Sequence, residues 1–409
     1  MKKSLLWIVV MVLSISMVAG FSFAGCKKEA APAEEAVEEE VAEEVPAEEA
    51  PAEEVVEEAA VETTEGLALE LGETTTRGPK GQIPIWYNKI SLTEEEKEQV
   101  KKMGLAIAYD QLNISNFDDT IGFAIDEYAK ELNMKYLWSY NQFDAAIQKE
   151  NVETLLAANP DIIAAVSVDP VVSTAAFKEA SQQGVSIVFC SIPAELAWPD
   201  EYTGLVFYDF VGFGPELAKA LNEALGGVGN IGYVYHEADF FITNQRDQGF
   251  KDALAKYPGL KLVAEAPIGG VAAEVEEVVS AMITKNPEIN GIYLPWQELV
   301  PPALSALRAL DRMDIKVVTN DLGETTALEM IQGDTLIMMT QCDAHQYGRT
   351  VLEVGLYPIL GKTVPAEAIM VPGYTITRDS LEEVWPIVFN EPLPNDLKAA
   401  LEARKKADQ

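Results

Sequence analysis

The sequence predicts an α/β protein whose body consists of two doubly wound parallel-sheet lobes, preceded by an export signal and a disordered acidic stalk. Short apolar segments alternate with amphipathic segments over about 300 residues, and two such series follow one another. A segment rich in Ala and Glu and without aromatic residues precedes this body. Because parallel strands require helical connections that cover both faces of a sheet, each series indicates one lobe.

Residues 1–25 have the pattern of a secretory signal peptide. Two lysines precede an apolar run, and small and polar residues follow it. The segment ends in Phe23-Ala24-Gly25-Cys26, which resembles a bacterial lipobox. We therefore expect Cys26 to carry a lipid and to become the first mature residue. Plain secretion, with Cys26 as a stray thiol, is the alternative.

Residues 26–80 are predicted to form a lipid-anchored acidic linker. Residues 27–66 contain sixteen Glu and two Lys, so they contribute fourteen of the thirty-six net negative charges. Such a composition buries too little apolar surface to offset the entropy of ordering, and like charges keep the segment extended. The acidity of the whole chain argues against nucleic acid or an anionic membrane surface as a partner.

The body follows an N-terminal extension, residues 81–102, in which Thr93 and Glu96 form a capping-box pattern that begins a short helix. The expected strands are residues 105–109, 135–139, 162–167, 185–190, 231–236, 261–266, 291–295 and 316–319. The expected helices are residues 121–133, 143–158, 173–184, 214–225, 244–256, 271–285, 302–310 and 325–332. A cleft between two such lobes is the usual place for a small ligand.

One junction between a predicted strand and helix carries the strongest candidate for a ligand contact. Residues 244–250 open a helix at the carboxyl end of a strand, where open α/β sheets bind ligands. They include Asn244 and Arg246, and a guanidinium can hold two adjacent oxygens of one small molecule. A helix N-terminus does not favour a cation, which points to another reason for the arginine. The alternative is that Arg246 pairs with Asp247 or Asp252 on a solvated helix face.

Several segments of the body match one known family in order and spacing. They are ASQQGVSIV (180–188), ALGGVGNI (224–231), Arg246 with Gly249 and Phe250, NPEINGIY (286–293), ALRAL (306–310) and DIKVVTND (314–321). On these segments the chain from residue 101 to 377 resembles the type I periplasmic binding proteins of the ribose and galactose group. Members of that group are the solute receptors of sugar ABC importers.

The resemblance implies that the chain crosses between the lobes three times, near residues 208–209, 341–342 and 372–373. The amino-terminal lobe would comprise residues 103–208 and 342–373, and the carboxy-terminal lobe residues 209–341 and 374–390, with residues 391–409 as a C-terminal tail. Ligand binding is expected as a hinge closure in which both lobes contact the ligand.

The resemblance also implies ligand contacts. Arg246 stands at the arginine that reaches sugar hydroxyls, Asp321 at the carboxylate that accepts hydroxyl hydrogen bonds, and Gln341 at the amide that does likewise. The polar and aromatic lip of the amino-terminal lobe would consist of Ser115, Asn116 and Phe117. Hydroxyls need donors and acceptors in a fixed array, while the C–H face of a sugar ring favours an aromatic wall.

Two departures from the ribose-type pattern bear on the ligand. Ser191-Ile192 stands where those receptors carry Asp-Arg, and Trp296-Gln297 where they carry Asn-Asp. A pocket that loses one ion pair and has its aromatic at Trp296 should not hold the same sugar in the same way. The expected ligand is therefore a pentose, a hexose or a polyol.

No catalytic residue, cofactor or metal is expected. The chain has only two His, His236 and His345, and nothing reproduces a zinc spacing. His236 is either a hydrogen-bonding wall residue of the cleft or a packed structural histidine. A Gly-x-Gly-x-x-Gly match at residues 227–232 precedes a strand, so it is a turn instead of a dinucleotide cradle. For Cys190 and Cys342 we expect buried free thiols, although a disulfide is conceivable.

The resemblance thus implies a non-enzymatic, monomeric, lipid-anchored receptor of the cell envelope. It would hand a sugar or polyol to the permease subunits of an ABC importer, from a periplasm or from the outer cell face. The alternative is a sensor that presents its ligand to a chemoreceptor or sensor kinase. An enzyme on the same scaffold is a third hypothesis.

Overall fold

The computed structural model describes residues 76–112, 116–269 and 271–409, and for Asn116 it describes the backbone alone. The predicted signal peptide, Cys26, the acidic linker up to residue 75 and Ser115 lie outside the described residues. No described helix is both long and apolar enough to cross a membrane.

The described strands and helices alternate along the chain. The strands are β1 (Ile85–Trp86), β2 (Ala106–Gln111), β3 (Lys135–Tyr140), β4 (Ile162–Ala165), β5 (Ser186–Cys190), β6 (Gly204–Tyr208), β7 (Gly229–His236), β8 (Leu260–Ile268), β9 (Gly291–Leu294), β10 (Lys316–Asn320), β11 (Leu336–Cys342), β12 (Ala368–Val371) and β13 (Gly373–Ile376). The helices are α1 (Glu94–Val100), α2 (Asn116–Glu131), α3 (Ala145–Ala157), α4 (Pro170–Gln182), α5 (Phe213–Ala224), α6 (Phe241–Leu254), α7 (Val275–Lys285), α8 (Val300–Ala309), α9 (Glu324–Gln332), α10 (Ala344–Ile359), α11 (Leu381–Phe389) and α12 (Asn395–Ala407).

The strands form two sheets. The first has the order β1-β12-β6-β5-β4-β2-β3, and the second has the order β13-β11-β10-β9-β7-β8. Every pairing of neighbouring strands is parallel except that between β11 and β13. The predicted fold of two parallel-sheet α/β lobes is thus confirmed.

The chain passes between the two sheets at three points. It leaves the first sheet after β6, returns after β11, and leaves again between β12 and β13, where only Pro372 intervenes. We call these passages, residues 208–212, 342–343 and 371–373, the hinge. The finer limits of each lobe given by the resemblance stay a prediction.

The elements follow from local chemistry. All residues of β4, β5 and β6 are buried, because helices cover both faces of a parallel sheet. Three helices start at an aspartate whose carboxylate accepts backbone N–H groups of the first turn. These caps are Asp144 on α3, Asp169 on α4 and Asp343 on α10.

A close helix crossing positions the candidate site. Helices α5 and α6 meet at Gly214 and Gly249, where a Cβ on Gly214 would lie 2.3 Å from the carbonyl carbon of Gly249. No larger residue fits at Gly214 without separating the helices. The crossing fixes α6 against the first segment of the second lobe, with Arg246 one turn before Gly249.

Several elements differ from expectation. Helices α2 and α4 begin five and three residues before their predicted starts, and β1, β6, β11, β12, β13, α10 and α11 were not among the expected elements. Helix α6 begins at Phe241, three residues before the predicted start, so Arg246 lies in its second turn, where the effect of the helix dipole has faded. Residues 391–409, expected as a tail, contain α12, which packs against α9 and buries Leu397 and Leu401. The two leucines are four residues apart and lie on one helix face, which is the periodic signal that identifies this helix.

Candidate functional site

Arg246 and Asp321 meet at the carboxyl ends of the second-lobe strands. Asp321 follows β10, and its N–H donates to the carbonyl of Thr340 on β11 over 2.7 Å. Both terminal nitrogens of Arg246 donate to the carboxylate of Asp321, over 2.8 and 2.9 Å. The side chains are 6% and 16% exposed. This two-pronged geometry joins two residues that are 75 positions apart in the sequence.

The pair keeps Arg246 charged in a dry position. Burial, the largest single cause, lowers the pKa of the guanidinium, but the charge and hydrogen bonds of Asp321, with smaller contributions from Tyr293 and Cys342, together raise it overall. The interpretation that Arg246 pairs with Asp247 or Asp252 on a solvated face is wrong. Because Asp321 occupies both terminal nitrogens, Arg246 acts first by orienting that carboxylate.

Asp247 forms a second buried acidic group beneath the pair. Its carboxylate accepts the backbone N–H of His236 over 3.0 Å and the hydroxyl of Tyr293 over 2.8 Å. Burial raises its pKa to about 6, against the effect of these two donors. The interpretation from sequence gave Asp247 no role of its own, since the hydroxyl that holds it lies 46 residues away.

His236 ends β7 and Trp296 follows β9, and their rings contact each other. Together with the Arg246–Asp321 pair and the buried acidic group beneath it they form what we call the second-lobe wall. Nδ1 of His236 lies 2.8 Å from the hydroxyl oxygen of Thr243. Its ring meets the Trp296 ring edge to face, with centroids 5.2 Å apart. Burial lowers the pKa of His236, so the imidazole is neutral at neutral pH. His236 is therefore held between the hydroxyl of Thr243 and the ring of Trp296, so the two predicted candidates His236 and Trp296 contact each other.

The remaining second-lobe candidates are held by the protein itself. The carbonyl oxygen of the fully buried Gln341 side chain accepts the N–H of Leu322 over 2.7 Å. Its amide nitrogen has no protein partner. The side-chain amide of Asn244 donates to Asp239 over 3.2 Å, on an exposed stretch. Gln341 thus fixes the loop that carries Asp321 from a fully buried position.

The first-lobe wall is aromatic. The Phe117 ring lies edge to face with those of Tyr208 and Tyr347, at 6.1 and 6.3 Å. The guanidinium carbon of Arg246 lies 5.3 Å from the centre of the Tyr208 ring. Phe117, Tyr208 and Arg246 therefore form a continuous chain from one lobe to the other. Of the other predicted lip residues, Ser115 and the side chain of Asn116 lie outside the described residues.

Ser191 is placed differently from a ligand contact. It is buried, and its hydroxyl lies 3.2 Å from that of Tyr347, which itself donates to the carbonyl of Val206 over 2.6 Å. Its backbone lies in the left-handed region, with φ +69°. The residue therefore supports the aromatic wall from behind.

Glu298 is a candidate that the interpretation from sequence missed. It follows β9 in a short 3₁₀ turn over Gln297–Leu299 and is exposed to solvent. Its pKa is nevertheless raised, first by the surrounding protein and then by the charge of Asp321. We therefore add Glu298 to the candidate residues around the Arg246–Asp321 pair.

The rims of the two lobes are in contact. Phe143, which follows β3, meets Phe240, which precedes α6, with ring centroids 6.4 Å apart. Recesses of about 300 Å³ lie elsewhere, one of them between α2 and β3 beside Phe123 and Trp138. They are lined by neither Arg246 nor Asp321. These two recesses are thus separate from the Arg246–Asp321 pair.

The described residues near the Arg246–Asp321 pair include charged groups, amides and rings. Those residues contain no group of three or more His, Cys, Asp or Glu that could hold a metal ion. Cys190 and Cys342 are both free and buried, which confirms the expectation for these thiols. The site therefore offers a charged pair, amides and rings.

Comparison with known proteins gives the same class as the fold. The family model of the periplasmic binding protein domain matches residues 105–363, more than half of the chain. The chain belongs to this family of extracytoplasmic, substrate-binding transport proteins. Its residues 76–103, with β1 and α1, lie before the matched region.

Three similar proteins indicate the range of the family. The xylitol-binding protein of Mycolicibacterium smegmatis is 25% identical over 296 residues, which cover 71% of this chain and 81% of that protein. An ABC transporter solute binding protein from Bacillus halodurans with bound myo-inositol has 22% identity and a TM-score of 0.60, covering 69% of this chain and 97% of that one. One from Actinobacillus succinogenes with bound D-allose has 20% identity and a TM-score of 0.62, covering 68% and 99%.

Proposed function

We propose that this protein binds a sugar or polyol between its two lobes by hinge closure and delivers it to the permease subunits of an ABC importer. The observation that carries the proposal is the Arg246–Asp321 pair, which presents an oriented carboxylate next to an aromatic wall. The relatives named above bind a pentitol, a cyclitol and a hexose. All three are uncharged and rich in hydroxyls.

The chemistry of the site suits such a ligand. Asp321 keeps acceptor capacity beyond its two bonds to Arg246, since each carboxylate oxygen has more than one lone-pair direction. Glu298, whose pKa is raised in part by the charge of Asp321, is a second acceptor. Hydrogen bonds to charged groups contribute about 1.5–3 kcal/mol each. Rings such as Phe117 and Trp296 cover the C–H faces of a sugar.

Selectivity follows from the charge balance of this wall. Arg246 and Asp321 cancel one another, while Asp247 and Glu298 add negative charge. The hydroxyls of a neutral polyol can donate to the carboxylates of Asp321 and Glu298 without new repulsion. An acidic sugar would instead be repelled by the negative charge of Glu298. We therefore propose neutral pentoses, hexoses and polyols as the ligand class.

A thermal-shift screen tests this function. A panel of neutral sugars and polyols is titrated against the wild type, Asp321→Asn and Asp314→Asn. Asp314 makes the matched control because it pairs with Arg312 on the exposed surface of the same lobe. We expect at least one compound to raise the Tm of the wild type and of Asp314→Asn, with most of the shift lost in Asp321→Asn. A folded wild type with no shift across the panel contradicts the proposal.

Transport and anchoring need separate tests. Deleting the gene should abolish uptake of the labelled ligand if the protein serves an importer. Normal uptake with a lost chemotactic or transcriptional response would instead favour the sensing alternative. The proposed lipid on Cys26 predicts that Cys26→Ala moves the protein from the membrane fraction to the soluble fraction. In size-exclusion chromatography with light scattering we expect a monomer.

A further inference from the structure

The residues before the family-matched region lie against the hinge. We define the hinge strap as residues 76–103, which include β1 and α1. The strap is attached to the first lobe. β1 pairs with β12, where Trp86 stands opposite Met370. Farther along, the N–H of Ser91 donates to the hydroxyl of Tyr357 over 3.0 Å, and Lys362 pairs with Glu96 over 2.9 Å.

The first residue of the strap, Thr76, is hydrogen-bonded to the first passage of the hinge. Thr76 is fully buried. Its hydroxyl donates to the carboxylate of Asp209 and accepts the N–H of Val211 over 3.0 Å. The same oxygen of Asp209 accepts the N–H of Gly212 over 3.0 Å, just before α5. Helix α5 packs on α6, β10 and β11, so the Thr76 hydroxyl joins a first-lobe strap to the first segment of the second lobe.

The strap also lies next to the other two passages. The pairing of Trp86 with Met370 is two residues before Pro372, which separates the two lobes at the third passage. The carbonyl of Pro372 accepts the N–H of Asp343 at the second passage over 3.0 Å. Burial and then the charge of Asp343 raise the pKa of Tyr87. One short segment thus contacts or approaches all three passages.

We propose that the hinge strap sets the balance between open and closed lobes, and that the Thr76 hydroxyl is the positioning group through which it acts on ligand affinity. The inference rests on the proposed function, since it regulates the same cleft. Thr76 touches no part of the cleft wall. It acts on the segment 209–212, whose backbone must rotate when the second lobe moves.

The direction of the effect follows from the conformation in which the contact is made. The bonds of Thr76 to Asp209 and Val211 coexist with the rim contact between Phe143 and Phe240. A contact that is made in the closed state and weakened in the open state shifts the equilibrium between them. The size of the shift is the difference in the free energy of that contact between the two states. The strap therefore favours the arrangement in which the rims touch. Ligand affinity falls in proportion when that state is less populated.

Three substitutions separate the hinge effect from general loss of stability. Thr76→Val keeps the shape and removes the hydroxyl, whereas Thr76→Ser keeps a hydroxyl that can donate and accept. Thr93→Ala is the control within the strap: Thr93 caps α1 by accepting the N–H of Glu96 over 3.2 Å and lies away from the hinge passages. All three are compared with the wild type for Tm and, by calorimetry, for Kd of the best ligand from the screen.

We expect Thr76→Val to weaken ligand binding about three- to tenfold, the change that follows if the two hydrogen bonds of the hydroxyl together favour the closed state by about 1 kcal/mol. Thr76→Ser should bind within twofold of the wild type, on the same scale of hydrogen-bond energies. Thr93→Ala should lower the Tm and leave the Kd unchanged. Equal Kd values for Thr76→Val and the wild type would overturn the proposal, as would an equal loss in Thr93→Ala.

A ligand-free measurement keeps this test separate from the proposed function. Gln142→Cys and Asp239→Cys place thiols beside Phe143 and Phe240, while Cys190 and Cys342 are buried. The rate of cross-linking by a short bis-maleimide then reports how often the rims meet. Thr76→Val should slow this reaction severalfold, whether or not any sugar binds. An unchanged cross-linking rate would overturn the proposed role of the hinge strap. A slowed rate, combined with a screen in which no compound binds, would overturn only the proposed function.

Discussion

The two walls of the cleft differ in kind. The second-lobe wall carries two hydrogen-bonded carboxylates: Arg246 donates to Asp321, and the hydroxyl of Tyr293 donates to Asp247. The first-lobe wall consists of rings, with Phe117 against Tyr208 and Tyr347. The Arg246–Asp321 pair thus lies on the second lobe, while rings line both lobes, with His236 and Trp296 on the second. Only a ligand that both lobes touch gains the contacts of both walls, which makes closure and affinity one event.

The largest expected effect is on the charged wall. Arg246→Ala leaves the carboxylate of Asp321 without its buried partner, and breaking such a pair costs about 3–5 kcal/mol in the free energy of unfolding. Urea denaturation measures this loss. Arg308→Ala is the matched control, because Arg308 pairs with Glu329 at an exposed position and should cost no more than about 1 kcal/mol. Similar losses in both variants would contradict the special role of the buried pair.

A smaller effect concerns the pH dependence of the same wall. The pKa of Asp247 is raised from 3.8 to about 6, so the folded protein holds this proton more tightly than the unfolded chain does. Its contribution to stability is therefore fully present below about pH 4 and is lost as the pH rises to about 6, by at most about 3 kcal/mol.

Asp247→Asn removes that titration. The difference in unfolding free energy between wild type and variant should change between pH 4 and pH 6 and be constant above pH 7. Denaturation at a series of pH values measures it. A difference that does not change with pH would show that Asp247 titrates normally.

On the aromatic wall we expect a loss of binding with little loss of stability. Phe117→Ala removes a half-buried ring that covers the ligand, and an aromatic contact contributes about 0.5–1.5 kcal/mol beyond its buried area. Calorimetry should show binding about tenfold weaker, with Phe117→Tyr close to the wild type. A Kd unchanged in Phe117→Ala would mean that this ring is not part of the site.

The smallest effect is expected at Ser191. Its hydroxyl faces Tyr347, whose own bond to the carbonyl of Val206 remains after substitution. Ser191→Ala should change the unfolding free energy by less than about 1 kcal/mol and the Kd by less than twofold. A large loss of affinity would place Ser191 in the ligand site and make the two walls more alike.

The fold was predictable where a parallel strand is a short apolar segment with a turn signal at its end, as at β4, β5 and β9. The predicted strand at residues 291–295 and the observed β9, Gly291–Leu294, differ by one residue. Helix α6 was harder: Phe241 and Ile242 look like loop or core residues, and its start carries no side-chain cap. The three-residue shift follows from that missing signal.

The site was predictable in place but not in detail. Strand ends meet at one edge, so Arg246 and Asp321 were expected to converge. That they bind each other depends on side-chain conformations, which the sequence does not encode locally. The bond between Tyr293 and Asp247 and the grip of Thr76 on Asp209 join residues 46 and 133 positions apart. No local pattern indicates contacts over such separations.

The central claim is that one ligand touches both walls. A crystal structure of the protein grown with the best compound from the screen tests it most directly. The proposed function predicts density for that compound between Phe117 and Asp321, with a hydroxyl within hydrogen-bond distance of the Asp321 carboxylate. Density in another place, such as the recess beside Phe123 and Trp138, or against one lobe alone, would contradict it.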